Sequence, residues 1–203
     1  MKDAGLVVAI VLAAGFSRRF GAADKRLAPL PDGRPCLAAS VERAGEAFSL
    51  LRVVLRQGEE PVALALSRET PVINVRHAQR GLGTSIGEAI TALDRADALT
   101  NVEAVAILLG DMPSIRLETL HTLQRHATRS SILRPSYRGQ PGHPVLFGRD
   151  FWPELAALDG DSGANGVIQR HIERYRVMPV DDAGVCRDVD TREDLLGYGA
   201  GLD

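Results

Sequence analysis

Lysine is nearly absent from this chain of 203 residues: of 24 basic side chains only Lys2 and Lys25 are lysine, and the rest are arginine. Coding bias alone gives such a depletion. The other reading is that Lys25, the single internal lysine, stands where a compact ammonium is needed rather than a planar guanidinium. Cysteine is scarce as well. Cys36 and Cys186 lie far apart with no CxxC or Cys/His spacing, which argues against zinc and fits two buried thiols in a reducing compartment. Aromatic residues make up 4%, leaving few platforms for stacking single-stranded bases. Neither sign of charge prevails, since 24 basic side chains face 26 acidic ones. Neither nucleic acid nor a membrane surface is therefore an expected partner. No long hydrophobic run occurs. The apolar stretch from Leu6 to Ala14 is far short of the roughly 20 residues that span a bilayer. Lys2 and Asp3 cancel, so it lacks the positive flank of a signal peptide. Its β-branched content and its stop at Gly15 read as a buried first strand of a cytoplasmic protein.

The residues that are present are ordinary in bulk and ordered in pattern. Length and a 45% hydrophobic content predict one domain over residues 1–203 with a sizeable core. Strand-like runs recur at Leu6–Leu12, Leu51–Leu55, Val72–Val75, Ala104–Leu109, Ser131–Leu133, Pro144–Phe147 and Tyr175–Val180. Helical spacing lies between most of them, at Leu37–Phe48, Pro61–Leu66, Ser85–Arg95, Leu117–Ala127, Phe151–Ala157 and Gly163–Arg174. This alternation predicts an α/β fold with a mostly parallel sheet and helices on both faces. Arg134–Gly142, with Pro and Gly spread through it, reads as a loop. Ligands of open α/β sheets sit beyond the carboxyl ends of the strands, so chemistry is sought there.

Behind the first strand, Ala13, Ala14 and Gly15 let backbone pass close to a ligand, and Arg18, Arg19 and Lys25 bring positive charge to the same loop. Together they suit a phosphate chain, although neither GxGxxG nor a Walker A sequence is present. A solvated basic turn is the bland alternative. Gly81-Leu82-Gly83-Thr84-Ser85 opens a helix, where glycine permits close approach and the helix end favours anions; Ser85 with Glu88 also reads as a plain capping box. Asp111, in Gly110-Asp111-Met112-Pro113, ends the strongest apolar strand. A lone carboxylate there suits Mg²⁺, which takes one or two carboxylates plus substrate phosphates. The alternative is a cap for a helix beginning near Ile115. Asp188 and Asp190 share one side of an extended segment and could hold the second side of a cation, or cap a helix. His143, in Pro141-Gly142-His143-Pro144, reads on its own as surface or core filler.

These segments resemble, in order along the chain, the motifs of the MobA-like nucleotidylyltransferases. Ala13-Ala14-Gly15-x-Ser17-x-Arg19-x-Gly21 with Lys25 is similar to the signature loop, and its Leu-Ala-Ala-Gly form to the molybdenum cofactor cytidylyltransferase branch. Gly-Asp-Met-Pro, Asp188-Val189-Asp190-Thr191 and Gly-His-Pro-Val-Leu-Phe resemble further motifs. Three features depart from the pattern: the Gly21–Lys25 interval is one residue longer, Arg192 replaces Pro, and Asn165 replaces Arg in the Gly160–Asn165 stretch.

The resemblance implies a Rossmann-like three-layer nucleotidylyltransferase fold with a mostly parallel, mixed sheet. It implies transfer of CMP from CTP, with GTP left open, to a molybdopterin-type phosphorylated acceptor. Lys25, Arg18 or Arg19 and the loop at Ala13, Ala14, Gly15 and Ser17 would hold the triphosphate. Gly81, Gly83 and Ser85 would line the base and ribose pocket. Asp111 and Asp190 would hold Mg²⁺, with Asp188 as second choice. His143 would position the acceptor, with the 160–165 stretch also on the acceptor side. A receiving molybdoenzyme or its chaperone would be the protein partner. A different phosphorylated acceptor, or a non-catalytic nucleotide or cofactor carrier, are the alternatives.

Overall fold

The computed structural model describes residues 6–16, 20, 23–189, 191 and 194. Its centre is β1 (Leu6–Leu12), a continuous apolar segment buried from Val7 onward. Such a segment is stable only with neighbours on both edges and layers on both faces. It has both. β2 (Leu50–Arg56) and β4 (Val102–Leu109) pair with it in parallel, and β3 (Val72–Val75) pairs in parallel with β2. Beyond β4 the sheet turns mixed. β7 (Val145–Gly148) runs antiparallel to β4, and β5 (Ile132–Tyr137) antiparallel to β7. β8 (Tyr175–Pro179) adds in parallel to β5, and the short β6 (Gln140–Pro141) forms a hairpin with it. The described residues thus form one eight-stranded sheet in the order β3-β2-β1-β4-β7-β5-β6, with β8 on β5.

Strand alternation divides the core into two layers. Val7, Ala9 and Val11 pack with Leu37, Val41 and Ala44 of α1 (Cys36–Ala47) and Leu120 and Leu123 of α3 (Leu117–His126). Val8, Ile10 and Leu12 face the other way, onto Ile86, Ala89, Ile90 and Leu93 of α2 (Leu82–Asp94). Trp152 and Leu155 of α4 (Trp152–Ala156) and Val167 and Ile168 of α5 (Asn165–Arg170) complete that face. This is the expected α/β three-layer arrangement. No helix of the described residues is long and apolar enough to cross a membrane.

Several expectations are corrected. Arg134–Gly142 is not a loop: β5 continues to Tyr137 and turns through Arg138 (φ 50°) and Gly139 (φ 83°) into β6. Two successive positive φ values make this a tight hairpin turn whose twist suits the flanking strands. Pro61–Leu66 is no α-helix but a 3₁₀ turn at Pro61–Leu64. The last helical stretch is shorter than expected, with α5 ending at Arg170. Between β6 and β7 the register on β5 slips by two residues, from Ser136↔Pro141 to Leu133↔Leu146. Gly142, His143 and Pro144 bulge from the sheet there, across a cis His143–Pro144 peptide bond.

Candidate functional site

The carboxyl ends of β1 and β4 meet side by side, Leu12 opposite Leu109. The loops that leave these two strands therefore share one edge of the sheet. Gly110 N–H donates to Leu12 C=O at 3.0 Å, and a Cβ at Gly110 would meet Leu37 at 2.8 Å. A larger residue there would have to push the Leu37 methyl aside and crowd Leu12 C=O, 3.1 Å away. It delivers Asp111, whose Oδ2 accepts from Lys25 Nζ at 2.6 Å. Asp111 Oδ1 is buried with no hydrogen-bond partner among the described residues. Buried carboxylate oxygens are costly without a partner, and a hard oxygen donor with open lone pairs fits a divalent cation. Asp111 does not cap a helix near Ile115; α3 starts at Leu117, and its backbone is held instead by Asp182, which accepts from Arg116 N–H and from the Thr119 hydroxyl.

Lys25 is positioned by its neighbours, which sequence reading does not single out. Arg26 is 6% exposed. Its guanidinium donates to Asp24, to Glu59 at 2.6 and 2.9 Å, and to Ala13 C=O at 2.9 Å. Glu59 also binds Arg56 at the end of β2. Arg26, next to Lys25, is thereby clamped between the loop after β1 and the loop after β2. Burial alone would raise the Glu59 carboxyl, but the Arg26 and Arg56 guanidiniums hold it down at about 2. Its stabilising contribution is therefore complete above its ordinary value of 4.5 and fades as pH falls towards 2. Glu59→Gln lowers the unfolding free energy by about 1–3 kcal/mol near pH 7, the full shift being discounted for partial exposure. The gap from the native chain should narrow as pH falls from 5 towards 2 in denaturant titrations; a gap independent of pH would exclude this origin.

Across the sheet edge from this clamp, α2 begins three residues earlier than predicted, at Leu82, with Gly81 as its N-terminal cap (φ 128°). Ser85 is accordingly inside the helix, and Glu88 bonds His77 and Arg76 N–H rather than completing a capping box. A distant loop lies on this helix start. Gly160 C=O accepts from Gly83 N–H at 2.8 Å, Gly160 N–H donates to Thr84 Oγ1 at 2.9 Å, and Thr84 Oγ1 donates to Asp159 Oδ1 at 2.6 Å. A Cβ at Gly83 would come within 2.9 Å of Gly160 C=O, and one at Gly87 within 2.6 Å of Leu158 C=O. At Gly81 it would collide with the Asp161 carboxylate.

A cavity of about 340 Å³ opens between the two sides. Of the expected site residues, Ala14, Gly15, Gly81, Ser85 and Asp111 line it, together with Phe16, Gln79 and Asp161. Ala13 and Gly83 do not line it. Ala13 lies beneath, bonded to Val54 and Arg26, and Gly83 beneath Gly160. Ser17, Arg18, Arg19 and Asp190 lie outside the described residues. Val189 N–H donates to Asp111 C=O at 2.9 Å, so exposed Asp188 stands beside the Asp111 loop. The described residues contain no cluster of three or more metal-binding side chains; a single carboxylate with substrate phosphates is still a common Mg²⁺ environment.

His143 is outside the cavity, on the bulge, its N–H donating to Val185 C=O at 2.7 Å. Burial pushes its imidazole down to about 4, assisted by the charge of Arg134 and opposed by Asp188. It is neutral at physiological pH, with Nδ1 buried and unpartnered among the described residues. Cys36 is buried, and burial, then the Asp111 carboxylate, push its thiol up to about 12 against the opposing Lys25.

A model of the MobA-like NTP transferase domain matches residues 9–175. The chain is similar to the bifunctional protein GlmU of Xylella fastidiosa (strain 9a5c), 30% identical over 182 residues, covering 88% of this chain and 37% of that protein. It thus spans well under half the length of the curated relatives it matches. Among solved structures it is similar to Rv0371c from Mycobacterium tuberculosis H37Rv, with a TM-score of 0.80 and 30% identity over 96% of this chain and 97% of that one. The manganese complex of Rv0371c matches with a TM-score of 0.77 and 27% identity, over 96% of this chain and 98% of that one. Fold, ordered motifs and matched length agree, and the chain belongs to the MobA-like NTP transferase family.

Proposed function

We propose that this chain transfers CMP from CTP to the terminal phosphate of a molybdopterin-type acceptor and releases pyrophosphate. The observation that carries the reading is the gathering of Ala14, Gly15, Gly81, Ser85 and Asp111 around one cavity, with Lys25 bonded to Asp111. In this reading Lys25, the loop amides at 13–15, Ser17 and Arg18 or Arg19 bind the triphosphate. Asp111 and Asp190 would hold Mg²⁺, which when bound would neutralise charge on the phosphate oxygens. The manganese complex of Rv0371c supports a divalent cation. An acceptor phosphate oxygen bonds to the α-phosphorus in line, while the bond to the bridging oxygen of pyrophosphate breaks. The chain's task is to align these atoms and to stabilise the charge that moves onto the leaving group. Neutral His143, on the bulge beside Asp188, holds the acceptor by hydrogen bonding, and the product passes to a molybdoenzyme or its chaperone.

The test is incubation of the protein with CTP or GTP, Mg²⁺ and molybdopterin, followed by pyrophosphate and product analysis. The expected product is the cytosine dinucleotide form, formation of which stops with EDTA and resumes with Mg²⁺. Nucleotide binding with no pyrophosphate released would overturn transfer in favour of a carrier. Asn165, where the family branch has Arg, favours a second reading in which the acceptor is another phosphorylated molecule. Sugar phosphates therefore belong in the same assay.

A further inference from the structure

The loop over α2 does more than fill space between glycines. Its Gly160 carbonyl takes the N–H of Gly83, one of the donors at the helix start that would otherwise face a ligand. This end of the cavity is thus a poor phosphate cradle, contrary to the expectation for a glycine-rich helix start. The same loop brings the exposed Asp161 carboxylate against Gly81, in the cavity wall. Among the described residues no hydrogen bond or ion pair engages it.

A carboxylate only accepts hydrogen bonds when ionised, and it repels phosphate oxygens at close range. The part of a nucleotide beside Asp161 is therefore neutral and carries donors. Ribose hydroxyls and an exocyclic base amine meet that description. Two carboxylate oxygens span two vicinal hydroxyls, whereas an amine presents a single nitrogen. An acidic side chain that accepts from ribose hydroxyls is a known device in dinucleotide-binding α/β folds.

We propose that Asp161 accepts hydrogen bonds from the 2′ and 3′ hydroxyls of the donor ribose, and so selects ribonucleotides over deoxyribonucleotides. The proposal rests on the cavity being the donor-nucleotide site. It moves Asp161 from the acceptor side, where its sequence motif placed it, to the donor side.

The test compares CTP with 2′-deoxy-CTP (or the GTP pair, if GTP is the donor) for the native protein, Asp161→Asn and Asp161→Ala. Calorimetric binding with Mg²⁺ is read alongside kcat/KM. The native protein should prefer the ribonucleotide by about 10- to 100-fold. Asp161→Ala should weaken the ribonucleotide more than the deoxyribonucleotide, which keeps only the 3′ hydroxyl, and so bring the ribo-to-deoxy ratio towards one, with Asp161→Asn in between. A ribo-to-deoxy ratio unaltered by substitution overturns the proposal while leaving nucleotide transfer standing. Equal losses on both sugars that vanish for an amine-free base, UTP or ITP, overturn it in favour of base reading. A native protein that binds no nucleoside triphosphate overturns the donor-site reading and the proposal together.

Discussion

Asp111→Asn lowers Mg²⁺-dependent pyrophosphate release by about 10³-fold or more, the scale on which loss of a preorganised charge acts in a catalytic site. The substitution keeps the size of the side chain and removes its charge. Oδ1, buried and unpartnered among the described residues, would lose the negative oxygen that suits a divalent cation. Lys25, 2.6 Å from Oδ2, would lose its ionic partner. Breaking a buried pair also destabilises, so turnover is read beside thermal unfolding and far-UV circular dichroism. A folded variant with near-normal turnover over a Mg²⁺ titration would remove Asp111 from the metal site. A folded variant whose activity is lost at every Mg²⁺ concentration, with nucleotide binding weakened only in the presence of Mg²⁺, supports it.

Lys25→Arg has the second largest expected effect, a fall of about 10²-fold in kcat/KM for the nucleotide, although the charge is kept. Lysine offers a small ammonium on a flexible stem, while arginine offers a flat fork. The clamp around position 25 already holds one guanidinium, that of Arg26, with its donors committed to Asp24, Glu59 and Ala13. A second, larger head would displace the pairing with Asp111 or crowd the phosphates. The scarcity of lysine gains a physical reading here: a point charge can follow negative charge as it shifts from the α-phosphate to pyrophosphate. Lys25→Met should cost at least as much. Full activity in Lys25→Arg would mean that the ammonium itself is not required.

The sequence announces the sheet more clearly than the site. β1 and the core of β4 are legible because strands covered on both faces must be apolar at every position, and Leu6–Leu12 is. β5 is underestimated because Pro135 and Gly139 suggest a loop, although a tight hairpin tolerates both. The start of α2 is expected too late because Gly81 and Gly83 are weak helix formers. The loop at 158–161 demands glycine there by its close approach. Its bonds to Thr84 reach across 75 and 76 positions, and no local pattern carries that information. The same limit hides the Arg26–Glu59 clamp, whose partners are 33 positions apart. The run Asp24-Lys25-Arg26 is its only local trace. Ala14, Gly15 and Asp111 can be anticipated because each follows the carboxyl end of a strand, where the fold collects ligand-facing residues, whereas Gly81 and Ser85 are expected there only through the family resemblance.

The parallel pairing of β1 with β4 also sets an order of events during folding. Lys25 and Asp111 are 86 positions apart, and their carriers meet only when β1 and β4 have zipped in register. Closing so long a loop is slow compared with forming α1 or α2 alone. Helical structure therefore returns on refolding before the two charges can meet. On the proposed function, catalytic competence is a late property of this chain: a nascent copy still lacking β4 has the loop after β1 but not the carboxylate of Asp111.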